Sequence, residues 1–301
     1  MSEPIRYSLS PDDPRTELRH NLISALEAVA VQFTSPISIE GVDATDLFGM
    51  NQLLGGAIEI QTVTVLNRLR NIWDPDDKYA AYEFRRYSES FPDVRLIGPD
   101  PSEQPLIGIE LKGWYLLSKE MAPSFRFQAS ADAMTEFDLL VCYPWSLTNV
   151  ISGKPMLHHP YIEQAKWAAD MRTYYWQHRS GRSSSRSNEI IHPDTHPYPV
   201  AGSSYVDKAV VDSNNFGRVA RFGIMQAFKD ESLDIPLAGI SARYWVEFLK
   251  LFTEANSQED VERGLDRMRT RIRRSPAFAD RLSDLDIIME HMGVIVEYSM
   301  H

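Results

Sequence analysis

The chain has 301 residues, of which 43% are hydrophobic and 24% charged, and its formal net charge is −11. That is room for one elaborated domain or two smaller ones with a sizeable core, and the charged fraction is ordinary for a soluble protein. No apolar run approaches the roughly 20 residues of a bilayer-spanning helix, residues 1–14 hold no apolar segment of a secretory signal, and the single Cys142 leaves no intramolecular disulfide, which fits a reducing cytoplasm.

Residues 16–33 carry Leu18, Leu22, Ile23, Leu26, Val29, Ala30 and Phe33 at intervals of three and four, which predicts a helix that Thr34-Ser35-Pro36 ends. Residues 46–70 read as a second helical region, loosened at Gly55-Gly56, although Thr62-Val63-Thr64-Val65 leans towards strand. Trp73-Asp74-Pro75-Asp76-Asp77 is a turn signal, and residues 79–90 read as a strand or a short helix. Residues 91–96 and 107–114 read as strands joined by a turn-rich linker, Gly98-Pro99-Asp100-Pro101-Ser102-Glu103-Gln104-Pro105. After a loop at 118–124, where Pro123 stops a strand, residues 125–127 and 137–143 read as two more strands and 161–175 as an amphipathic helix. Cys142, in the apolar pattern of the last strand, reads as a buried, inert thiol. Residues 146–160 are irregular, and 181–204 are the least regular of all, an expected exposed loop with the run Ser183-Ser184-Ser185. Beyond Asn214, residues 216–229, 242–252, 258–274 and 279–298 each show helical spacing. No internal repeat is present, and no phosphate-cradling glycine loop, so dependence on ATP or GTP is not expected.

The fold class this predicts is α/β: a central mixed sheet flanked by helices, with a mostly helical C-terminal half. The expected regions are 1–78, helical and packed on the core; 79–180, the core itself; and 181–301, mostly helical, with packing on the core, a dimer interface and target recognition as its open roles.

The chemistry concentrates between Phe91 and Trp114. Side chains on a strand alternate faces, so Glu110 and Lys112 share one face while Ile109 and Leu111 take the other. Asp93 and Arg95 likewise share a face. A hairpin through residues 98–105 sets Asp93 near Glu110. Two carboxylates are hard oxygen ligands of the kind Mg²⁺ takes, and the carbonyl of Leu111 lies between them in sequence as a further oxygen. Lys112 would hold the attacking water and offset charge on a phosphate. The bland reading of Glu110 and Lys112 is a wet edge-strand face; Pro92-Asp93 and the order of elements favour the site.

This arrangement resembles the PD-(D/E)XK nuclease superfamily, which includes most type II restriction endonucleases. Pro92 and Asp93 match the proline and first acid of its motif, Glu110 the second acid and Lys112 the lysine. The resemblance covers residues 47–176, in which strand, strand, strand, strand, helix is the order the nuclease core requires. It implies a restriction-endonuclease-like sheet and a Mg²⁺-dependent endonuclease acting on double-stranded DNA, in the first instance a type II restriction endonuclease. Asp93, Glu110 and Lys112 are its expected catalytic residues, and Asp93, Glu110 and the Leu111 carbonyl its expected metal ligands. The superfamily often places an acid on the helix before the first catalytic strand, and Glu59 is the candidate, its other reading being a half-exposed helix residue. Cutting both strands of a duplex needs two sites or two visits, so a homodimer is expected. The alternatives are a nuclease of the same fold in DNA repair or structure-specific cleavage, and a non-catalytic DNA-binding module.

The acidic balance runs against this reading, since nucleic-acid binders usually present a basic surface. Clustered arginines and a bound cation can offset it. Arg172, Arg179, Arg182 and Arg186, with His178 and the aromatics Tyr174, Tyr175 and Trp176, form the expected DNA contact. Arg263, Arg267, Arg269, Arg271, Arg273 and Arg274 are a second, weaker candidate for phosphate contact; they interleave with Glu259, Asp260, Glu262 and Asp266, and their bland reading is a solvated helix face. His158, His159, His192 and His196, with Asp194, lack the cysteine pairs and spacing of a zinc site and read as loop histidines.

Overall fold

Asp13 and Pro14 start the first helix, α1 (Pro14–Gln32): the Asp13 carboxylate accepts the Arg15 N–H at 2.9 Å, and proline fills a first-turn position whose N–H has no helical partner. Leu18, Leu22, Ala25, Leu26 and Val29 make its buried stripe. The computed structural model describes residues 2–35, 37–40, 50, 53–88, 90–179, 188–211, 215–251 and 257–274. Helix α2 (Gly55–Arg68) buries Ile58, Thr62, Val65 and Leu66 and continues through Leu69 into the single turn α3 (Arg70–Trp73). The strand-leaning Thr62-Val63-Thr64-Val65 is thus helical, because Thr62 and Val65 face the core and packing outweighs propensity. Of the expected second helical region, residues 46–49, 51 and 52 lie outside the described residues.

Among the described residues, six strands form one mixed sheet: β1 (Glu83–Arg86), β2 (Val94–Ile97), β3 (Ile107–Tyr115), β4 (Leu139–Leu147) and β5 (Pro155–Leu157) in that order, with β6 (Tyr161–Gln164) also on β4. β1, β2 and β3 are antiparallel neighbours. β4 runs parallel to β3 and antiparallel to β5 and β6. All nine residues of β4 are buried, as expected of a central strand paired on both edges. Helix α4 (Ala165–His178) follows β6 directly. The α1 and α2 helices cover the sheet: the Tyr143 hydroxyl donates to the Leu26 carbonyl at 2.8 Å, and Gly113, opposite Tyr143 on β3, makes room for Ile58. The chain is an α/β protein with a mixed central sheet flanked by helices, as its pattern predicts.

The strand expected at residues 125–127 is absent. That stretch is extended but pairs outside the sheet: the Phe127 N–H donates to the Gly217 carbonyl at 2.8 Å, and Ala129 forms a single bridge with Val206. Residues 161–164, expected at the start of a helix, are β6, and residues 155–157 add a strand to a stretch expected to be irregular. The two-residue strands β7 (Ile190–Ile191) and β8 (Lys208–Ala209) pair with each other. The expected helix at 216–229 is broken by Gly217 (φ 87°) and Gly223 (φ 90°), between which lies a short 3₁₀ turn; only α5 (Gln226–Leu233) is α-helical there. The hairpin β9 (Pro236–Leu237) and β10 (Ile240–Ser241) leads into α6 (Ala242–Lys250), and α7 (Gln258–Arg273) comes last. The expected helix at 279–298 lies outside the described residues. Among them no helix is long and apolar enough to cross a membrane.

Candidate active site

β2 and β3 pair in the register Val94↔Ile109, Arg95↔Gly108, Leu96↔Ile107. One step beyond the end of β2 sets Asp93 opposite Glu110, and directly opposed residues share a face. The structure brings the two acids and the lysine together. Lys112 Nζ donates to Glu110 Oε1 at 2.6 Å and lies 3.9 Å from Asp93 Oδ2. The Leu111 N–H donates to that same Asp93 oxygen at 2.7 Å. The N–H and C=O of one strand residue project from the same edge, so the Leu111 carbonyl faces the Asp93 side. The side chains of Asp93, Glu110 and Lys112 are 21%, 13% and 20% exposed. Water reaches them, yet screening is weak enough for their charges to act on one another strongly.

Two carboxylates against one ammonium leave the site short of positive charge. Burial, and then the neighbouring Glu110 charge, push the Asp93 carboxyl up to about 7, against the pull of Lys112 and of the Leu111 N–H, with Glu59 adding to the push. Burial opposes the Lys112 charge, but Glu110 and Asp93 hold the ammonium above the ordinary lysine range. A carboxyl raised by burial and a like charge beside a fixed ammonium makes this cluster the candidate site.

Glu59, on α2, stands beside this group and accepts a bond from Arg86 Nε of β1 at 2.7 Å. Among the described residues no three His, Cys, Asp or Glu side chains gather closely enough to hold a metal; Glu59 is an ion-paired neighbour of the two acids. The donor chemistry of Asp93, Glu110 and the Leu111 carbonyl fits a hard divalent cation, since it is all oxygen and its carboxylates are under-neutralised.

Of the expected DNA contact, Arg172 needs correction. Arg172 is 1% exposed, ion-paired with the equally buried Asp207, and donates to the carbonyls of Phe127 and Ala129 at 3.1 and 2.9 Å. Both terminal nitrogens are bonded inside the protein and the side chain is buried, so it is not available to a phosphate. Arg179 lies over the Trp176 ring at 3.2 Å and donates to Asn188 Oδ1 at 3.2 Å. Arg182 and Arg186 lie outside the described residues. In the second arginine cluster, Arg263 pairs with Asp260 and Arg271 with Glu247, as on a solvated helix face. The histidines are dispersed: His158 meets the Ser146 hydroxyl at 2.9 Å and His192 meets Asp207 at 2.9 Å. Cys142 is buried, and burial pushes its thiol well above the ordinary range.

Several residues that shape the site escaped the sequence reading. Arg95 Nη2 donates to the Phe91 carbonyl at 2.7 Å and the Pro199 carbonyl at 3.3 Å. Buried Asp138 accepts from the Gly108 N–H at 2.6 Å, the Thr135 N–H at 2.7 Å and the Tyr198 hydroxyl at 2.6 Å. Gly108 is packed so closely that a Cβ there would lie 2.4 Å from Pro92 Cγ. Tyr205 stacks at a tilt on Phe91, ring centroids 5.7 Å apart. Pro199, Tyr198 and Tyr205, which tie these residues together, are far away in the chain; the glycine in an apolar strand was a local hint of close backbone approach.

No family model, no curated protein and no solved structure matches this chain.

Proposed function

We propose that the protein is a Mg²⁺-dependent endodeoxyribonuclease that hydrolyses phosphodiester bonds of duplex DNA, most simply a type II restriction endonuclease. The observation that carries this reading is the meeting of Asp93, Glu110 and Lys112 on one face of the β2/β3 hairpin. The succession of β1 to β4 after the Glu59 helix supports it, with β5 and β6 coming between β4 and α4, as does the parallel pairing of β3 with β4. Mg²⁺ on Asp93, Glu110 and the Leu111 carbonyl would supply charge stabilisation to the phosphoryl oxygens. Lys112, kept cationic by its two acid neighbours, positions the attacking water and balances charge on the phosphate. In-line attack on phosphorus then leaves a 5′-phosphate and a 3′-hydroxyl, as the resemblance implies. A homodimer would present one such site to each strand.

The test is cleavage of plasmid DNA with Mg²⁺ by wild type, Asp93→Ala and Lys112→Ala. Wild type cuts, and each variant loses about a hundredfold or more. Cutting that persists in both variants places the chemistry elsewhere. Discrete fragments from a genome-length substrate indicate restriction; cutting confined to nicks, flaps or ends indicates repair.

A further inference from the structure

Residues 197–206 read Pro-Tyr-Pro-Val-Ala-Gly-Ser-Ser-Tyr-Val, without a charged side chain in a chain of net charge −11. Both ends of this segment are pinned beside the candidate site. At the entry, the Tyr198 hydroxyl is held by Asp138, and the Pro199 carbonyl by Arg95, the same guanidinium that holds Phe91. At the exit, the Tyr205 carbonyl accepts the Ser130 N–H at 2.8 Å, Val206 bridges Ala129, and Asp207 is locked by Arg172. Between the anchors the chain stands out: Val200 is 69% exposed, and Ser203 N–H closes a turn on the Val200 carbonyl at 3.1 Å. Gly202 supplies the positive φ (84°) that the third position of such a turn requires. The Tyr205 ring packs on Phe91, two residues before Asp93. Burial first, then the charges of Glu110 and Asp93, hold its phenol above the ordinary tyrosine range, so it stays a neutral donor.

We infer that residues 198–205 form a substrate finger whose hydroxyls on Ser203, Ser204 and Tyr205 grip the sugar–phosphate backbone next to the scissile bond. The inference rests on the nuclease reading. The acids Asp93 and Glu110 face the single ammonium of Lys112, Glu59 is paired with Arg86, and Arg172 is not free to add positive charge beside them. Uncharged donors can bind phosphate oxygens there. The two-ended anchoring means that little further ordering is needed on binding.

The test compares a duplex oligonucleotide with bis(4-nitrophenyl) phosphate, which has one phosphate and no flanking backbone, on wild type and on the triple variant Ser203→Ala, Ser204→Ala, Tyr205→Phe. The ratio of kcat/KM for the duplex to that for the small diester falls about a hundredfold, chiefly through KM, as expected from loss of hydrogen bonds to charged acceptors. An unchanged ratio, including one in which both activities fall in parallel, overturns the finger. A wild type that hydrolyses neither probe overturns the nuclease reading itself, which separates the two failures. Should the triple variant melt early, Tyr205→Phe alone keeps the ring on Phe91. The same ratio then falls about tenfold, and no fall overturns the inference.

Discussion

Asp93→Asn probes the site through stability and needs no substrate. The amide oxygen still accepts the Leu111 N–H, while the charge facing Glu110 is removed. In the native protein the Asp93 carboxyl is raised from 3.8 to about 7. At about 1.36 kcal/mol per unit, a rise of about three units is worth roughly 4 kcal/mol; the side chain is 21% exposed, and screening trims this to about 2–4 kcal/mol. The sign follows from which state binds the proton. Above pH 7 the carboxyl is ionised in both native and unfolded chains, and the native chain bears the unfavourable charge. As pH falls through 7 the native chain takes up a proton first, and below about 4 both are neutral. Wild-type stability from this group is therefore lost as pH rises from about 4 to about 7. Asp93→Asn has no such loss, so urea denaturation in chelator should show it about 2–4 kcal/mol more stable than wild type at pH 8.5, with the gap closing towards pH 4.5. Added Mg²⁺ should raise the wild type towards the variant, by about 2.7 kcal/mol at a hundred times Kd. A variant no more stable than wild type at pH 8.5, or a gap independent of pH, refutes the reasoning.

Two substitutions test how the site is held. Gly108→Ala pushes a Cβ to 2.4 Å from Pro92 Cγ and should cost about 1–3 kcal/mol in urea denaturation, with loss of DNA cleavage, because the residue displaced adjoins Asp93; wild-type stability in this variant would mean that the hairpin is not packed as described. Arg172→Met leaves Asp207 buried without its ion pair and should cost about 3–5 kcal/mol, with duplex affinity of the folded fraction unaltered. A loss of affinity without a loss of stability would restore Arg172 to the DNA surface.

The meeting of Asp93 and Glu110 was legible because it needs only strand alternation and a turn between neighbours in the chain. The fourth strand and the helices α1, α6 and α7 were legible for the same reason: each announces itself in its own residues. The helix expected at 216–229 failed on local glycines, Gly217 and Gly223; most other failures were non-local. Nothing around Arg172 reveals that Asp207 and the carbonyls of Phe127 and Ala129 await it inside the protein, so an arginine among aromatics read as surface. Phe127 alternates like a strand residue but its N–H is tied to Gly217, outside the sheet. Tyr161 and Ile162 blend into the helix that follows, and only pairing with Cys142 and Val141 makes them a strand. Arg86, the partner of Glu59, lay in the segment whose type the pattern left open.

The acids are set face to face by the β2/β3 hydrogen-bond ladder, and the return between those strands plays no part in their distance. That return, with residues 99–104 exposed, lies at the opposite end of the ladder from Asp93 and Glu110. The number of residues separating the two acids in the chain therefore carries no metric information, and the loop tolerates lengthening at small entropic cost. A dye, an affinity tag or a surface tether inserted there would ride on the hairpin that carries the acids without touching them, and would give a spectroscopic handle on the site.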